Sequence, residues 1–378
     1  MASSGGQASV GLAGSYGGLN AGDEAILTVA AAQLRATIDD VEIVVFSRDT
    51  EHTRRHHEVD RVVSVREAVR DDLVPEVERL DLLLLGGGGI LYDHEASGYL
   101  HVVRIAQELG VCTATFAIGA GPLEHEADRE AVADVVSAMD LVTVRDAAAK
   151  RLLEEIGVER EITVTADPAL LLESEPFPTE MLEREGVGNQ RRLVGVSVRE
   201  RGAAVEMAQS DYHELLAGAA DFIVHRFDAE VVFVALERQD IREAHRVIGR
   251  MGVPEHATVL NGAYSPTQLR GLMEHLHLAV GMRLHFLIFA ATSGVPIAAL
   301  PYSGKVEAFL DLLGLAGSNV PEPAHPGVIL ATIDRLWDTR DEQVGAVRER
   351  LPELQEAARE TARMTAALLG RDAAAATS

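Results

Sequence analysis

Short apolar runs of strand length alternate with helical segments along nearly the whole chain, and this alternation restricts the fold more than any other feature. Parallel neighbours in a sheet need a crossover connection, usually a helix, so the pattern predicts a parallel α/β architecture. In the first half the strand-like runs cover residues 10–13, 42–46, 81–85, 111–117, 141–144 and 162–165, with helices expected over 23–36, 97–109 and 146–156. A second series runs through 193–198, 231–236, 258–260, 276–280 and 296–300, with helices expected over 211–227, 240–251, 266–275 and 284–292. Between them, residues 174–191 are polar, contain Pro176 and Pro178 and end in Gly186-Val187-Gly188-Asn189, which reads as a linker. The expectation is two Rossmann-like domains facing a cleft, 1–185 and 190–340. A segment and tail, 341–378, follows, helical over 341–369 apart from Pro352.

At 378 residues the chain is long enough for two cores. A hydrophobic content of 47% excludes wholesale disorder. No apolar run approaches the roughly 20 residues of a membrane helix, and no basic stretch precedes an apolar one at the N-terminus, so a soluble cytoplasmic protein is expected. The formal net charge of −25 opposes binding to nucleic acid or an anionic membrane. Only Lys150 and Lys305 represent lysine, and the acidic, arginine-based composition resembles that of proteins from salt-loving cells, where salt screens self-repulsion. The single cysteine, Cys112, fits a reducing compartment and is expected to be an inert core thiol. No metal-binding or serine-hydrolase signature is present; His52, His56 and His57 are expected in a solvated loop rather than at a metal.

The polar and glycine-rich motifs recur at the carboxyl ends of the expected strands, where ligands of open α/β sheets collect. Gly14-Ser15-Tyr16-Gly17-Gly18-Leu19-Asn20-Ala21-Gly22-Asp23-Glu24 follows the first strand and lacks the dinucleotide-binding spacing. Gly17 and Asn20 are expected to line the cleft. Asp23 has two open uses, accepting a proton or favouring a helix N-terminus. Leu82 to Leu85 empty into four glycines, of which Gly87 and Gly88 are expected to face a ligand. Arg145, Arg199 and Arg283 each follow a strand, as suits a ligand with carboxylate and phosphate groups; Arg145 has a competing use in pairing with Asp146, and Arg199 has Glu200 beside it. His285 opens a helix two residues after Arg283, and Lys305 follows the next strand.

Together these stretches, with Ala166-Asp167-Pro168 and Gly281-Met282-Arg283-Leu284-His285 through Lys305, resemble the polysaccharide pyruvyl transferase family. The resemblance implies a glycosyltransferase-B-like fold and transfer of the pyruvyl group of phosphoenolpyruvate to a sugar of a cell-surface polysaccharide or lipid-linked glycan, giving a ketal and phosphate. It places donor binding on Arg145, Arg199, Arg283, His285 and Lys305. Catalysis falls to His285 and Asp23, the acceptor to the first domain and the donor to the second. It calls for no metal or organic cofactor, and a homo-oligomer is compatible with it. One departure concerns the acceptor side: Gly18-Leu19-Asn20-Ala21 stands where the family often has an aromatic residue and a further Gly-Asn turn. Two competing readings remain, a nucleotide-sugar glycosyltransferase with Glu237 as ribose contact and a non-catalytic anion- or glycan-binding module. Retention of an imidazole and a carboxylate beside the cations opposes the second.

Overall fold

The computed structural model describes residues 7–188, 190–200, 208–300, 304–315, 318 and 325–376. The chain forms two compact units, one made of Met1–Leu172 with Glu353–Ser378, the other of Glu173–Pro352.

Unit 1 contains β1 (Ala8–Ala13), β2 (Val41–Ser47), β3 (Arg61–Ser64), β4 (Leu82–Gly86), β5 (Gly89–Leu91), β6 (Cys112–Phe116), β7 (Gly119–Ala120), β8 (Val142–Val144) and β9 (Ile162–Val164). Its main sheet is parallel, in the order β3-β2-β1-β4-β6. A bridge between Ala114 and Leu141 sets the parallel β8 and β9 pair beside β6. Successive strand residues face opposite sides, so β4 is apolar throughout. Leu82 and Leu84 pack with Leu27 and Leu34 of the helix Ala21–Thr37, while Leu83 and Leu85 pack with Leu100 and Val103 of the helix Ala96–Leu109. A sheet covered on both faces requires such a run. The edge strand β3 escaped the sequence pattern because it has four residues, none fully buried.

Unit 2 repeats the plan with β10 (Arg192–Ser197), β11 (Ala229–Phe233), β12 (Ala257–Val259), β13 (Leu278–Gly281) and β14 (Ile297–Ala299), all parallel in the order β12-β11-β10-β13-β14. In each sheet the chain moves one way from the central strand and then the other. The order therefore reverses between β1 and β4 in unit 1, and between β10 and β13 in unit 2. Ligands of open α/β sheets bind at such reversals, outside the carboxyl ends of the strands.

The division falls at Leu172 and Glu173, not within 186–189, because the expected linker belongs to unit 2. Residues Thr179–Arg184 are helical, and the Glu185 carboxylate accepts hydrogen bonds from the backbone N–H groups of Asn261 and Gly262, both at 2.9 Å, and from the Tyr264 hydroxyl at 2.5 Å. The final helix, Arg340–Ala376, runs through Pro352 and carries its second half back to unit 1. There Ala362 joins the core under β1, and the Thr361 hydroxyl meets that of Thr165 at 2.8 Å. Cys112 is half-buried at the start of β6. Among the described residues no helix is long and apolar enough to cross a membrane.

Candidate functional site

In unit 1 the loop after β1 is shaped by its own side chains. The Asn20 side-chain oxygen accepts from the N–H groups of Gly22 at 2.8 Å and Asp23 at 3.4 Å, capping the helix Ala21–Thr37. Asn20, expected to line a cleft, is the N-cap, and Asp23 stands in the first turn of this helix, where its charge favours the N-terminus, so both of its expected uses remain open. Asp23 also lies against the glycines after β4: a Cβ at Gly88 would stand 2.4 Å from Asp23 Oδ1. A Cβ at Gly87 would meet the ring of Tyr16 at 2.9 Å, and both glycines have positive φ, 89° and 74°, which together with this crowding excludes other residues. The Gly88 carbonyl accepts from Gly119 N–H at 2.9 Å, and a Cβ at Gly119 would sit 2.8 Å from the Arg145 guanidinium carbon. Asp23, Gly88, Gly119 and Arg145 therefore form a continuous line across the ends of β1, β4, β6 and β8.

Arg145 is 5% exposed and pairs with Asp167 at 3.1 Å and Asp146 at 3.4 Å. Asp146 also caps the helix Ala147–Glu155 through Ala149 N–H. The competing use of Arg145 is real, and Asp167, to which the sequence assigned no role, is its stronger partner.

Tyr16 is fully enclosed against Gly86 and Gly87, and its hydroxyl makes no hydrogen bond among the described residues. Burial, reinforced by the charges of Asp23 and Glu24, holds this phenol protonated far above its ordinary range. Burial also pushes Tyr92 up to about 12 and raises Tyr99, with Asp23 among the charges acting on each. The charge of Asp23 is thus among the causes that raise all three of these phenols, a grouping not visible in the sequence.

The histidines are not in a solvated loop. Residues Thr50–His56 form a helix, and His57 is buried with its Nε2 2.5 Å from Glu24 Oε2. The other oxygen of Glu24 accepts from Gly17 N–H at 2.9 Å, and His57 Nδ1 lies 3.2 Å from the Thr28 hydroxyl. Donor atoms of Glu24, His52 and His57 fall within 4.8 Å of one another, a set of the kind that binds transition metals. The Glu24–His57 contact is at hydrogen-bond distance, closer than two ligands of one metal ordinarily stand.

Beside this loop lies a pocket of about 550 Å³ at the carboxyl ends of β1, β2 and β3, lined by Gly17, Gly18, Arg48, Arg66 and Tyr99 among others. Gly17, expected on the ligand side, does reach it. A Cβ there would stand 2.3 Å from the Ser47 hydroxyl.

In unit 2, Arg199 follows β10, Arg283 and His285 follow β13, and Lys305 follows β14, so the ends of three adjacent parallel strands carry the expected cations and imidazole. His285 is the second residue of the helix Leu284–Thr292, and Lys305 the second of Gly304–Leu312; both are half-buried. Arg283 departs from expectation. It is 7% exposed, and its guanidinium is taken by Asp240 (Nε to Oδ2, 3.0 Å; Nη2 to Oδ1, 2.5 Å) and by Glu237 (Nη1 to Oε1, 2.9 Å). Asp240 also accepts from the N–H groups of Leu236 and Glu237, both at 3.1 Å. Burial pushes the Asp240 carboxyl up against the pull of Arg283. At Glu237 burial acts the same way but is outweighed by Arg283, which holds that carboxyl below its usual range. Arg283 therefore ties the turn after β13 to the turn after β11. The sequence hid this, since Asp240 reads as a helix start and Glu237 as a possible ribose contact, neither as a partner of Arg283.

Comparison with solved structures defines the class. The chain has a glycosyltransferase-B-like fold, similar to the UDP-GlcNAc 2-epimerase of Neisseria meningitidis bound to UDP-GlcNAc (TM-score 0.64, 11% identity, covering 94% of this chain and 99% of that one). It is also similar to the E. coli ADP-heptose LPS heptosyltransferase II (0.52, 14%, 89% and 100%) and to the α,α-trehalose 6-phosphate synthase of Burkholderia multivorans (0.58, 14%, 98% and 100%). Identities this low establish the fold alone. Among curated proteins none matches the sequence. The family model for polysaccharide pyruvyl transferase matches residues 20–304, and the chain belongs to that family.

Proposed function

We infer that the protein moves the pyruvyl group of phosphoenolpyruvate onto two hydroxyls of a sugar in a cell-surface polysaccharide or glycan. The observation carrying this reading is that one family match, residues 20–304, contains Arg145, Arg199 and Arg283 just after strands and Asp23 and His285 in the first turns of the helices that follow β1 and β13, with Lys305 just beyond. Phosphoenolpyruvate carries a carboxylate and a phosphate, and cations at strand ends and helix N-termini suit both.

In the reaction a proton adds to the methylene carbon, making it a methyl group, and C2 takes on positive character. One sugar hydroxyl adds to C2 and gives up its proton; the C2–O bond to phosphate breaks, and the second hydroxyl closes the ketal, also losing its proton. Two protons leave the hydroxyls, one enters the methyl group and one leaves with phosphate. Asp23 is assigned as acceptor of a hydroxyl proton and His285 as the acid, with Arg199 and Lys305 binding the donor. Arg145, already paired with two carboxylates, contributes a smaller net field. Arg283 acts by holding the turn that carries His285. Its pairing with Glu237 engages the carboxylate that was offered as a ribose contact for the nucleotide-sugar alternative.

A ligand specific to the folded state raises the melting temperature by mass action. Millimolar phosphoenolpyruvate should do so at several salt concentrations, and nucleotide sugars should not. The opposite pattern would exclude pyruvyl transfer in favour of glycosyl transfer.

A further inference from the structure

We propose that Glu24, His52 and His57 bind one divalent ion of the zinc class, which ties the loop after β1 to the helix Thr50–His56 that follows β2. The site is independent of the pyruvyl-transfer reading, and no step of that reaction is routed through it.

Glu24 is a buried carboxylate without a fixed cation. Its side chain is 5% exposed, and among the described residues its ion-pair partners are the two histidines, with no arginine or lysine. A buried charge is ordinarily paired or bound to a metal. Both rings present the same nitrogen, Nε2, to one oxygen, Glu24 Oε2, from 2.5 Å at His57 and 3.7 Å at His52. The ring centroids stand 6.5 Å apart with the planes at 63°, so the two imidazoles converge on that oxygen without stacking on each other.

The groups behind these donors hold them in place. Glu24 Oε1 accepts from Gly17 N–H at 2.9 Å, which leaves Oε2 to the rings. The Thr28 hydroxyl donates to the Glu24 carbonyl at 3.0 Å, one helical turn back, and its oxygen lies 3.2 Å from His57 Nδ1. In that arrangement the oxygen accepts from Nδ1–H, and the Nε2 lone pair points at Glu24, the tautomer that a metal requires. On the other side, His52 N–H is taken by Asp49 in capping the helix, and the His52 ring lies 4.3 Å from that of His56.

The donor set selects the ion. Two imidazoles and a carboxylate suit zinc and its neighbours, whereas magnesium and calcium prefer oxygen alone. In a tetrahedral site with bonds of about 2.0 Å, neighbouring donors stand about 3.3 Å apart. The His52 contact is close to this spacing, and the His57 contact is shorter because the pair shares a proton. Binding therefore exchanges that proton for the metal, and His57 Nε2 and Glu24 Oε2 part from 2.5 Å to about 3.3 Å. The His57 side chain is 2% exposed and that of His52 22%, so the ion enters past His52 and keeps a water as fourth ligand on that side.

The test uses the full-length protein without a histidine tag, stripped with a chelator and titrated with Co²⁺ and Zn²⁺. One Co²⁺ per chain should bind with the visible absorption of a tetrahedral nitrogen–oxygen site; Zn²⁺ should displace it, and a large excess of Mg²⁺ should not. Zn²⁺ should also raise the melting temperature by mass action. Thr28→Val, which deletes only the oxygen behind His57, should weaken Zn²⁺ by about 10–100-fold, and His52→Gln and His57→Gln by at least as much. His52 is the most exposed of the three donors, so His52→Gln keeps the assignment testable if the buried His57 variant does not fold. His125, exposed with its ring 4.3 Å from that of His94, is the control, and His125→Gln should leave the affinity unchanged. Absence of both the Co²⁺ absorption and the Zn²⁺ shift in melting would overturn the proposal and leave a hydrogen-bonded pair. Binding that survives His52→Gln but not His125→Gln would move the metal to the surface and overturn the site, and displacement of Co²⁺ by Mg²⁺ would overturn the choice of ion.

Discussion

Replacing Arg283 with alanine separates a structural cation from a ligand-binding one. The change leaves Asp240, whose side chain is 1% exposed, and Glu237, at 23%, without their shared partner. Breaking a buried pair from one side typically costs about 3–5 kcal/mol. Two features favour the lower end here. Asp240 retains its bonds from Leu236 and Glu237 N–H, and its raised carboxyl can take a proton rather than stay ionised and unpaired. About 3 kcal/mol, in a unit of this size, corresponds to a melting shift of roughly 6–12 °C. The assay is unusually direct because Trp337, the one tryptophan in the chain, stacks on Phe227 at 4.2 Å within the unit 2 core, so its fluorescence reports the unfolding of that unit. In an Asp240→Asn background, where less buried charge is stranded, the same change should cost only about 1 kcal/mol. An unchanged Trp337 transition in Arg283→Ala, with weakened phosphoenolpyruvate binding, would refute the structural assignment and return Arg283 to the donor.

Lys305→Ala should weaken phosphoenolpyruvate binding by about tenfold or more while leaving the Trp337 transition in place; equal affinity in variant and wild type would make this lysine a surface group. Glu237 has a folded pKa below its ordinary value, so the stability it contributes is complete above the usual glutamate range and is lost as pH falls through the lowered value. In urea titrations between pH 6 and 3, wild type should therefore lose its advantage over Glu237→Gln as the medium is acidified; a gap independent of pH would contradict the pairing. With a net charge of −25, the melting temperature should climb as KCl rises from about 0.1 M to 1 M, where the screening length drops from about 10 Å to 3 Å; a flat or falling profile would remove the salt-adapted reading of the composition.

The parallel sheets were legible because their strands are covered on both faces and must be apolar at every position, as Leu82 to Leu85 and Leu278 to Val280 are. Strand ends were legible for the same reason, and with them the positions of Asp23, Gly88, Arg199 and His285. What the sequence could not convey is which charges spend themselves on one another. Arg283 looks like Lys305 in a linear reading, each just past a strand, yet Asp240 reaches Arg283 from 43 residues away. The same blindness hid Asp167 behind Arg145, and the segment 174–191 passed for a linker because Glu185 finds its partners 76 to 79 residues on. Polarity marks a loop only while its partners are unknown.

The stretch Asn20 to Glu24 shows why so short a motif can carry so much. Consecutive helical residues point about 100° apart, so neighbours in sequence serve different directions. Asn20 turns back to close the helix on Gly22 and Asp23 N–H. Asp23 points toward the glycines after β4, and so toward the strand-order reversal. Glu24 faces the interior, where one oxygen pins Gly17 and the other meets His57. Glu24 thereby fixes the loop that floors the pocket, while Asp23 beside it is held by the cap and by the shape of Gly88. The two carboxylates are adjacent in the chain yet differ in what they do, because Glu24 sets the loop as a buried strut and Asp23 stands half-buried at the strand ends where the chemistry is assigned.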